Sequence, residues 1–171
     1  MPIIMGVAYG AALALVLINV QGRISIESTD VFIYGDTARH IAEGHQISTR
    51  MIQPFVTDHL MPQTTWPPFF PILVAIPMLF GVSLPNALLA TPIVVLAASG
   101  ALFVWYVVKR FGWLPAVLFA AFSLTASPLL HTAAQPMTEG VFFGFLLLAV
   151  VALAESFERR ITRGEEWFGL L

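Results

Sequence analysis

The sequence LPNALLATPIVVLAASGALFVWYVV, from Leu84 to Val108, contains no acidic or basic residue and stops at Lys109-Arg110. An uncharged apolar run of this length is typical of a helix that crosses a lipid bilayer. The chain as a whole shares this character, since 58% of its 171 residues are hydrophobic and only 11% are charged. A soluble domain carries about 25% charged residues. The composition therefore predicts an all-α integral membrane protein.

Three further apolar runs extend this prediction to about four transmembrane helices. They cover residues 3–20, 113–130 and 137–154, and Ser127-Pro128 interrupts the second of them. Residues 3–20 are not preceded by a basic n-region and lack a small-residue cleavage site. Both observations favour a retained membrane anchor over a cleaved signal peptide. Together with residues 84–108, these runs predict one membrane module over residues 1–171, with a large loop at 21–83.

A fifth apolar segment, Phe69 to Gly81, is too short to cross a bilayer comfortably and contains Pro71 and Pro77. We expect it to lie on the membrane or to dip into it. In that case all the basic clusters fall on one side, which the positive-inside rule assigns to the cytoplasm. Those clusters are Lys109-Arg110 and Arg159-Arg160 with Arg163. The loop is then predicted to lie on the outer face.

Composition also excludes several classes of function. Cysteine is absent, so the chain has no disulfide, no thiolate nucleophile and no cysteine metal site. The formal net charge of −2 gives no basic surface for nucleic acid. The chemistry of interest is therefore expected in the polar loop, because carboxylates beside a bilayer need water, partners or a substrate.

A surface helix is predicted at the start of this loop, from Asp30 to Gly44. Apolar residues recur at helical spacing, and glycine is the usual residue just after a helix end. Asp30 is expected either to cap the helix or to be functional. Asp36, Arg39 and His40 have the spacing of a solvated charge cluster on the outer face of the helix. The following segment, residues 46–65, has no clear periodicity and is expected to be an ordered cover or a mobile substrate loop.

The spacing Asp30…Tyr34…Ala38-Arg39…Gly44 resembles the first outer loop of GT-C membrane glycosyltransferases, the class that includes aminoarabinose transferases and mannosyltransferases that use polyprenyl-phosphate sugars. Four further motifs are similar and occur in the same order. They are Pro67-Pro68 with Phe80-Gly81, Lys109-Arg110-Phe111-Gly112, Ser127-Pro128, and Thr138-Glu139. Because enzymes of this class have further helices, the resemblance predicts that the chain is the N-terminal part of such an enzyme.

The resemblance implies transfer of a sugar, with inversion, from a polyprenyl-phosphate donor to a hydroxyl acceptor on a lipid, glycan or protein. Asp30 matches the catalytic aspartate and would act as the general base. Arg39 is expected to bind the donor phosphate or to hold the helix in place. Tyr34 is expected to line the cavity or to anchor the helix at the interface. Glu139 is expected to face the cavity or protein interior rather than lipid.

One departure from the family pattern concerns metal binding. Aminoarabinose transferases have an acid and a lysine just before the Pro-Pro pair, where this chain has Thr65 and Trp66. Metal dependence therefore does not follow from the motif, and no cofactor is assigned, although a divalent metal stays open as an alternative. Asp58 and His59 are the alternative ligands for a divalent metal, although such loop residues are more often solvated; His59 is also a candidate substrate-binding residue.

Two other classes of function stay open from the sequence. One is a component of a membrane transporter or flippase, although transporters place ionisable groups near the bilayer midplane, whereas the apolar runs here have no charge at their centres. The other is a non-catalytic membrane scaffold or fragment. The predicted location is a bacterial-type plasma membrane.

Overall fold

The computed structural model describes residues 1–21, 29–52, 55–62, 67–136 and 138–162, without the side chains of Thr29, 51–58 and 159–162. Its elements, in chain order, are α1 (Pro2–Gln21), α2 (Thr29–Ala42), β1 (Ser48–Ile52), β2 (Phe55–Pro62), α3 (Phe69–Leu79), α4 (Leu84–Phe111), α5 (Trp113–Thr125), α6 (Ser127–Ala134) and α7 (Thr138–Thr162). The predicted all-α class is confirmed, with one small hairpin added to it.

Three helices are long and apolar enough to cross a membrane: α1, α4 and residues 138–158 of α7. The pair α5 and α6 forms a fourth candidate, bent by 70°. The predicted third span, 113–130, is therefore two helices that end at Ala134. The break falls at Ala126 because Pro128 has no N–H to donate to the Leu124 carbonyl, so a continuous helix would lose a bond.

The helix α4 lies at the centre of the bundle. Half of its apolar window is buried, against 28% for α1 and 17% for α7. On α1, Gly6 lies against Ala101 and Gly10 against Ala97, so α1 runs antiparallel to α4. A Cβ on Gly6 would come within 2.6 Å of the Ala101 carbonyl oxygen. Small residues therefore bring these two backbones into direct contact, as is common between membrane helices.

The helix α7 runs parallel to α4, which defines two ends of the bundle. At the end we call the loop end, the Gln21 side chain donates to the carbonyls of Leu89 (3.0 Å) and Ala134 (2.9 Å). At the opposite end, the basic end, Arg110 pairs with Glu155 (3.3 Å) and with Glu158. Since α7 continues to Thr162, the helix extends past the predicted end of its span at Ala154.

The helices α2 and α3 cover the loop end. A buried cluster joins them to α4 and α7; its members are Val31, Tyr34, Ala38, Phe70, Val74, Ala87, Leu88 and Val141. The predicted stop of α2 is confirmed, since Gly44 has φ +83° and its N–H donates to the Ile41 carbonyl. The short helix predicted over 69–81 is also present, and α3 is shorter than a membrane span.

The segment without clear periodicity contains the hairpin. β1 pairs antiparallel with β2, with Thr49 opposite Met61 and Met51 opposite Val56. The register shifts between Thr49 and Met51. Such an irregularity breaks the alternation of inward and outward side chains, which is the pattern by which a strand is recognised in sequence. The described part of this segment therefore forms a hairpin, and residues 53–54 and 63–65 of the predicted segment lie outside the described residues.

Candidate functional site

The helix α2 carries Asp30 to the loop end of the bundle. Because α2 begins at Thr29, Asp30 lies inside the first turn and not at the capping position. A carboxylate in the first turn faces the positive end of the helix dipole, which stabilises its charge. Its side chain is partly buried. Asp30 thus lies at the helix start, one turn before Tyr34.

Tyr34 lies at the meeting point of α2, α3 and α7. It is 4% exposed, and its ring lies edge-on to Phe70 with centroids 5.4 Å apart. Burial raises the pKa of the Tyr34 phenol above 10.0, the charges of Asp30 and Glu139 raise it further, and the Thr138 hydrogen bond opposes them. Both carboxylates therefore lie within electrostatic reach of this phenol.

Glu139, on α7, contributes the second carboxylate near Tyr34. It lies in the first turn of that helix, and its Oε2 atom is buried without a hydrogen-bond partner among the described residues. A buried carboxylate oxygen without a donor costs folding free energy. The side chain therefore faces the protein interior, as predicted. Its open acceptor position is where a donor group of a bound ligand can lie.

An apolar groove of about 380 Å³ begins beside Glu139 and runs between α3 and α7. Its lining residues are Pro67, Phe69, Phe70, Thr138, Glu139, Val141, Phe142, Phe143 and Phe145. Phe69 and Phe145 are about half exposed and contact each other edge-on, with centroids 5.1 Å apart. Sequence reasoning missed these phenylalanines. Three phenylalanines of the groove follow Glu139 closely in the sequence, at positions 142, 143 and 145. Their concentration is the signal that could have indicated the wall of a ligand-binding groove.

Arg39 does not join Asp30 in this structure. At about 100° per residue, positions 30 and 39 lie on opposite sides of the helix. The Arg39 side chain is 48% exposed, and its Nη2 donates to Asp36 Oδ1 at 2.8 Å. Of the two roles predicted for Arg39, the observed contacts are those of a residue that holds its helix in place.

The prediction of a solvated cluster at Asp36 and His40 was wrong. Asp36 is 9% exposed and His40 2% exposed, because the hairpin packs over this face of α2. The Asp36 Oδ2 atom accepts a hydrogen bond from the Thr49 hydroxyl (2.9 Å) and one from the Arg50 backbone N–H (2.7 Å). Asp36 is therefore the residue that fastens the hairpin to α2.

The alternative metal ligands lie elsewhere. His59 is exposed on β2, and the side chain of Asp58 is outside the described residues, as are Thr65 and Trp66. Within the described part of the chain, no three His, Asp or Glu side chains are grouped so that they could hold a metal ion. The residues present there do not form a metal site, and none is assigned to one.

The site thus combines Asp30, Tyr34 and Glu139 from the predicted residues, adds Thr138 and the groove, and leaves Arg39 and His59 apart. Its chemical character is acidic at one end and apolar along the groove. Such a site suits a ligand that has a hydrogen-bond donor at one end and an apolar body. No protein-family model, curated protein or solved structure matches this chain.

Proposed function

We propose that this protein is a membrane glycosyltransferase of the GT-C type, which transfers a sugar from a polyprenyl-phosphate donor to a hydroxyl acceptor. The observation that carries the proposal is that Glu139 lines an apolar groove, while its charge and that of Asp30, distant in sequence, both act on the phenol of Tyr34. The resemblance singled out these three residues for a shared site. The acceptor is a lipid, a glycan or a protein.

The proposed setting is a bacterial-type plasma membrane that the chain crosses several times. An apolar exterior supports a membrane location, since side chains such as Ile4 (73% exposed) and Phe122 (71% exposed) would be costly in water. Lys109 and Arg110 lie at the basic end, which the positive-inside rule assigns to the cytoplasm. The loop end, with Asp30 and Glu139, is then on the outer face.

The groove is the proposed site of the donor's isoprenoid chain. Seven of its lining residues are apolar, and the half-exposed rings of Phe69 and Phe145 form its outer edge. Moving a hydrocarbon chain from the bilayer into this groove is favourable only if the chain packs closely against the groove wall. The aromatic side chains provide such packing. The sugar phosphate would then lie at the groove's polar end, beside Thr138 and Glu139.

Asp30 is proposed to act as the general base. The acceptor hydroxyl gives its proton to the Asp30 carboxylate while its oxygen bonds to the anomeric carbon. On the opposite side of that carbon, the bond to the phosphate oxygen breaks and the electron pair leaves with the lipid phosphate. Because this leaving group is a stable anion, no general acid is needed. Attack opposite to departure inverts the anomeric configuration.

Glu139 and Tyr34 have supporting roles in this proposal. The open Oε2 acceptor of Glu139 would take a hydrogen bond from a sugar hydroxyl and so orient the ring. Tyr34 would keep its proton at neutral pH, because its raised pKa lies above 10.0. It is therefore a neutral wall of the site and not a second base.

The test is consumption of a labelled donor by the purified protein in lipid nanodiscs. Polyprenyl phosphates that carry different sugars are offered with lipid, glycan and peptide acceptors, and transfer is followed by loss of the sugar label from the lipid. We expect the wild-type protein to transfer at least one sugar. Asp30→Asn should lower the rate by about 10²–10⁴-fold, the usual contribution of a general base.

The matched control for this test is Glu43→Gln, which removes an exposed carboxylate just after the end of the same helix. It should leave the transfer rate unchanged. Turnover by Asp30→Asn at the wild-type rate would remove the general-base assignment. If none of the offered donors releases free lipid phosphate, the transferase proposal itself is overturned.

Topology is tested separately by single cysteines in this cysteine-free chain. A thiol reagent that cannot cross membranes should label a cysteine placed at His45 in intact cells, because the loop end is proposed to face outward. A cysteine at Phe157, near the basic end, should react only after the cells are permeabilised. Labelling in the reverse order would invert the proposed orientation.

A further inference from the structure

A second groove lies at the basic end of the bundle, between α1 and α4. It has a volume of about 270 Å³, and its lining residues are Ile3, Gly6, Val7, Ala101, Leu102 and Trp105. Three of these side chains, Ile3, Val7 and Leu102, are at least half exposed. This groove, which we call the basic-end groove, is therefore apolar and open to the hydrocarbon of a surrounding bilayer.

A single lysine lies at the end of this groove. Lys109 is the only lysine in the chain and lies one helical turn after Trp105 on α4. Its Nζ atom lies 5.0 Å from the centroid of the Trp105 ring, which is the distance of a cation–π contact. Because the Trp105 side chain is also a wall of the groove, this contact holds the ammonium group beside the groove.

The nearby carboxylates pair mainly with Arg110. Arg110 donates to Glu155 Oε1 at 3.3 Å and pairs with Glu158. Lys109 Nζ lies 3.8 Å from the same Glu155 oxygen, which is longer than a hydrogen bond. The Lys109 side chain is 44% exposed, and an ammonium group has three N–H donors. Lys109 can therefore donate to an anion that approaches from the bilayer.

The dimensions of the groove and the charge of the basic end fit a lipid of one leaflet. From Lys109 to Ala101 the helix rises by about 12 Å, and one leaflet contributes about 15 Å of hydrocarbon. Basic residues also outnumber acidic ones at this end, and such an excess attracts anionic lipids. Four basic residues oppose two acidic ones here, namely Lys109, Arg110, Arg159 and Arg160 against Glu155 and Glu158.

We propose that the basic-end groove binds one phospholipid with a net negative headgroup. The lipid phosphate accepts a hydrogen bond from Lys109 Nζ, and one acyl chain lies in the groove along Trp105 and Leu102. A zwitterionic phospholipid binds more weakly, because its headgroup brings a second cation to the same place. This binding is independent of the proposed transfer of sugar, and its tests use no transfer assay.

The first test uses the fluorescence of Trp105 in lipid nanodiscs. Trp66→Phe, Trp113→Phe and Trp167→Phe together leave Trp105 as the only tryptophan. Phospholipids with brominated acyl chains quench a tryptophan that they contact, and they are added as a minor component to unbrominated phosphatidylcholine. Brominated phosphatidylglycerol should quench Trp105 more strongly than the same fraction of brominated phosphatidylcholine. Equal quenching by the two lipids overturns the proposal.

The role of Lys109 is tested in the same single-tryptophan protein. Lys109→Gln should lower the affinity for brominated phosphatidylglycerol by about fivefold, the value of one basic residue near a membrane surface. Lys109→Arg keeps the charge and should keep the headgroup preference. A preference that survives Lys109→Gln unchanged overturns the proposal.

A matched reporter distinguishes a site from general attraction to the basic end. Trp113 is exposed just after α4 and does not line the groove. When Trp113 is the only tryptophan, it should show a smaller headgroup preference than Trp105 does. Equal preferences at the two tryptophans would show general attraction and would overturn the proposed site.

The groove is tested by native mass spectrometry of the wild-type protein, which needs no tryptophan substitution. The protein, extracted from nanodiscs of mixed phosphatidylglycerol and phosphatidylcholine, should retain one phosphatidylglycerol. Val7→Phe should lower this retention, because the larger side chain occupies the groove. The control is Val94→Phe, which is exposed on α4 outside the groove. Unchanged retention in Val7→Phe overturns the proposal, and so does a lipid-free dimer, in which a second copy would cover the groove.

Discussion

The two faces of α2 use the same kind of side chain for different purposes. On one face, the Asp36 carboxylate accepts hydrogen bonds from Arg39, Thr49 and the Arg50 backbone. On another face, Asp30 and a second carboxylate, Glu139, both lie within electrostatic reach of the phenol of Tyr34. The Asp36 carboxylate is compensated by donors that the protein supplies, whereas the Asp30 carboxylate has a second carboxylate in its surroundings.

This difference distinguishes an acid that stabilises the fold from an acid that belongs to the candidate site. A buried acid surrounded by donors stabilises the fold, because its charge is compensated in place. Two acids gathered at one site oppose folding, because their charges repel and their desolvation is costly. Natural proteins keep such arrangements at functional sites. The Asp36 face is therefore interpreted as a fastening for the hairpin, and the Asp30 face as the candidate site.

The largest effect on stability is expected from Asp36→Asn. Because this change removes the charge that three donors share, it should lower the free energy of unfolding by about 3 kcal/mol. Amide exchange at Arg50, whose N–H donates to Asp36, should become faster. Asp30→Asn is the matched change on the other face and should alter the free energy of unfolding by less than about 1 kcal/mol. Similar losses in both variants would contradict the contrast between the two faces.

A smaller effect is expected from Gly140→Ala, next to Glu139. An added Cβ would lie 2.3 Å from the Ala133 carbonyl oxygen, a backbone atom that cannot move aside cheaply. We expect a loss of about 1–3 kcal/mol, measured by chemical unfolding in micelles, because α6 and α7 must separate. The control is Gly35→Ala on α2, whose Cβ would meet the flexible end of Leu88 at 3.3 Å. Equal losses would show that the α6–α7 contact is not tight.

Tyr34→Phe should have an effect on stability that depends on pH, with a deficit at neutral pH that shrinks in alkaline solution. The folded pKa of Tyr34 is raised above 10.0, so its protonated form contributes stability that is complete below pH 10.0 and is lost as the pH rises through the folded pKa. The variant lacks this titration and should lose less stability in alkaline solution. At neutral pH it should lose about 1 kcal/mol with the Thr138 hydrogen bond. Parallel pH profiles for the two proteins would contradict this account.

The smallest effect is expected from Arg39→Ala. Arg39 is 48% exposed and pairs with an Asp36 that keeps two other donors, so the loss of stability should be less than about 1 kcal/mol. Because Arg39 lies opposite Asp30, the KM for the donor should not change. A clear rise in KM would show that Arg39 reaches the donor phosphate, which is the other role predicted from the resemblance.

Sequence reasoning succeeded where the signal was local. The apolar runs predicted the helices α1, α4 and the start of α7 to within a few residues. Gly44 predicted the end of α2, because glycine adopts positive φ without the strain that a Cβ would cause. The hairpin was missed because its shifted register hides the alternation of side chains. Asp36 was misplaced because its partners, Thr49 and Arg50, belong to that hairpin.

The sequence by itself determined that this is an all-α protein with helices of membrane-spanning length, and it singled out Asp30, Tyr34 and Glu139 as candidates. Hydrophobicity and backbone freedom belong to each residue, so they can be interpreted one segment at a time. It takes the packed structure to show that Tyr34 lies edge-on to Phe70, that a groove begins at Glu139, and that Arg39 pairs with Asp36. These are properties of side chains from distant segments, and their partners exist only once α2, α3 and α7 have packed together.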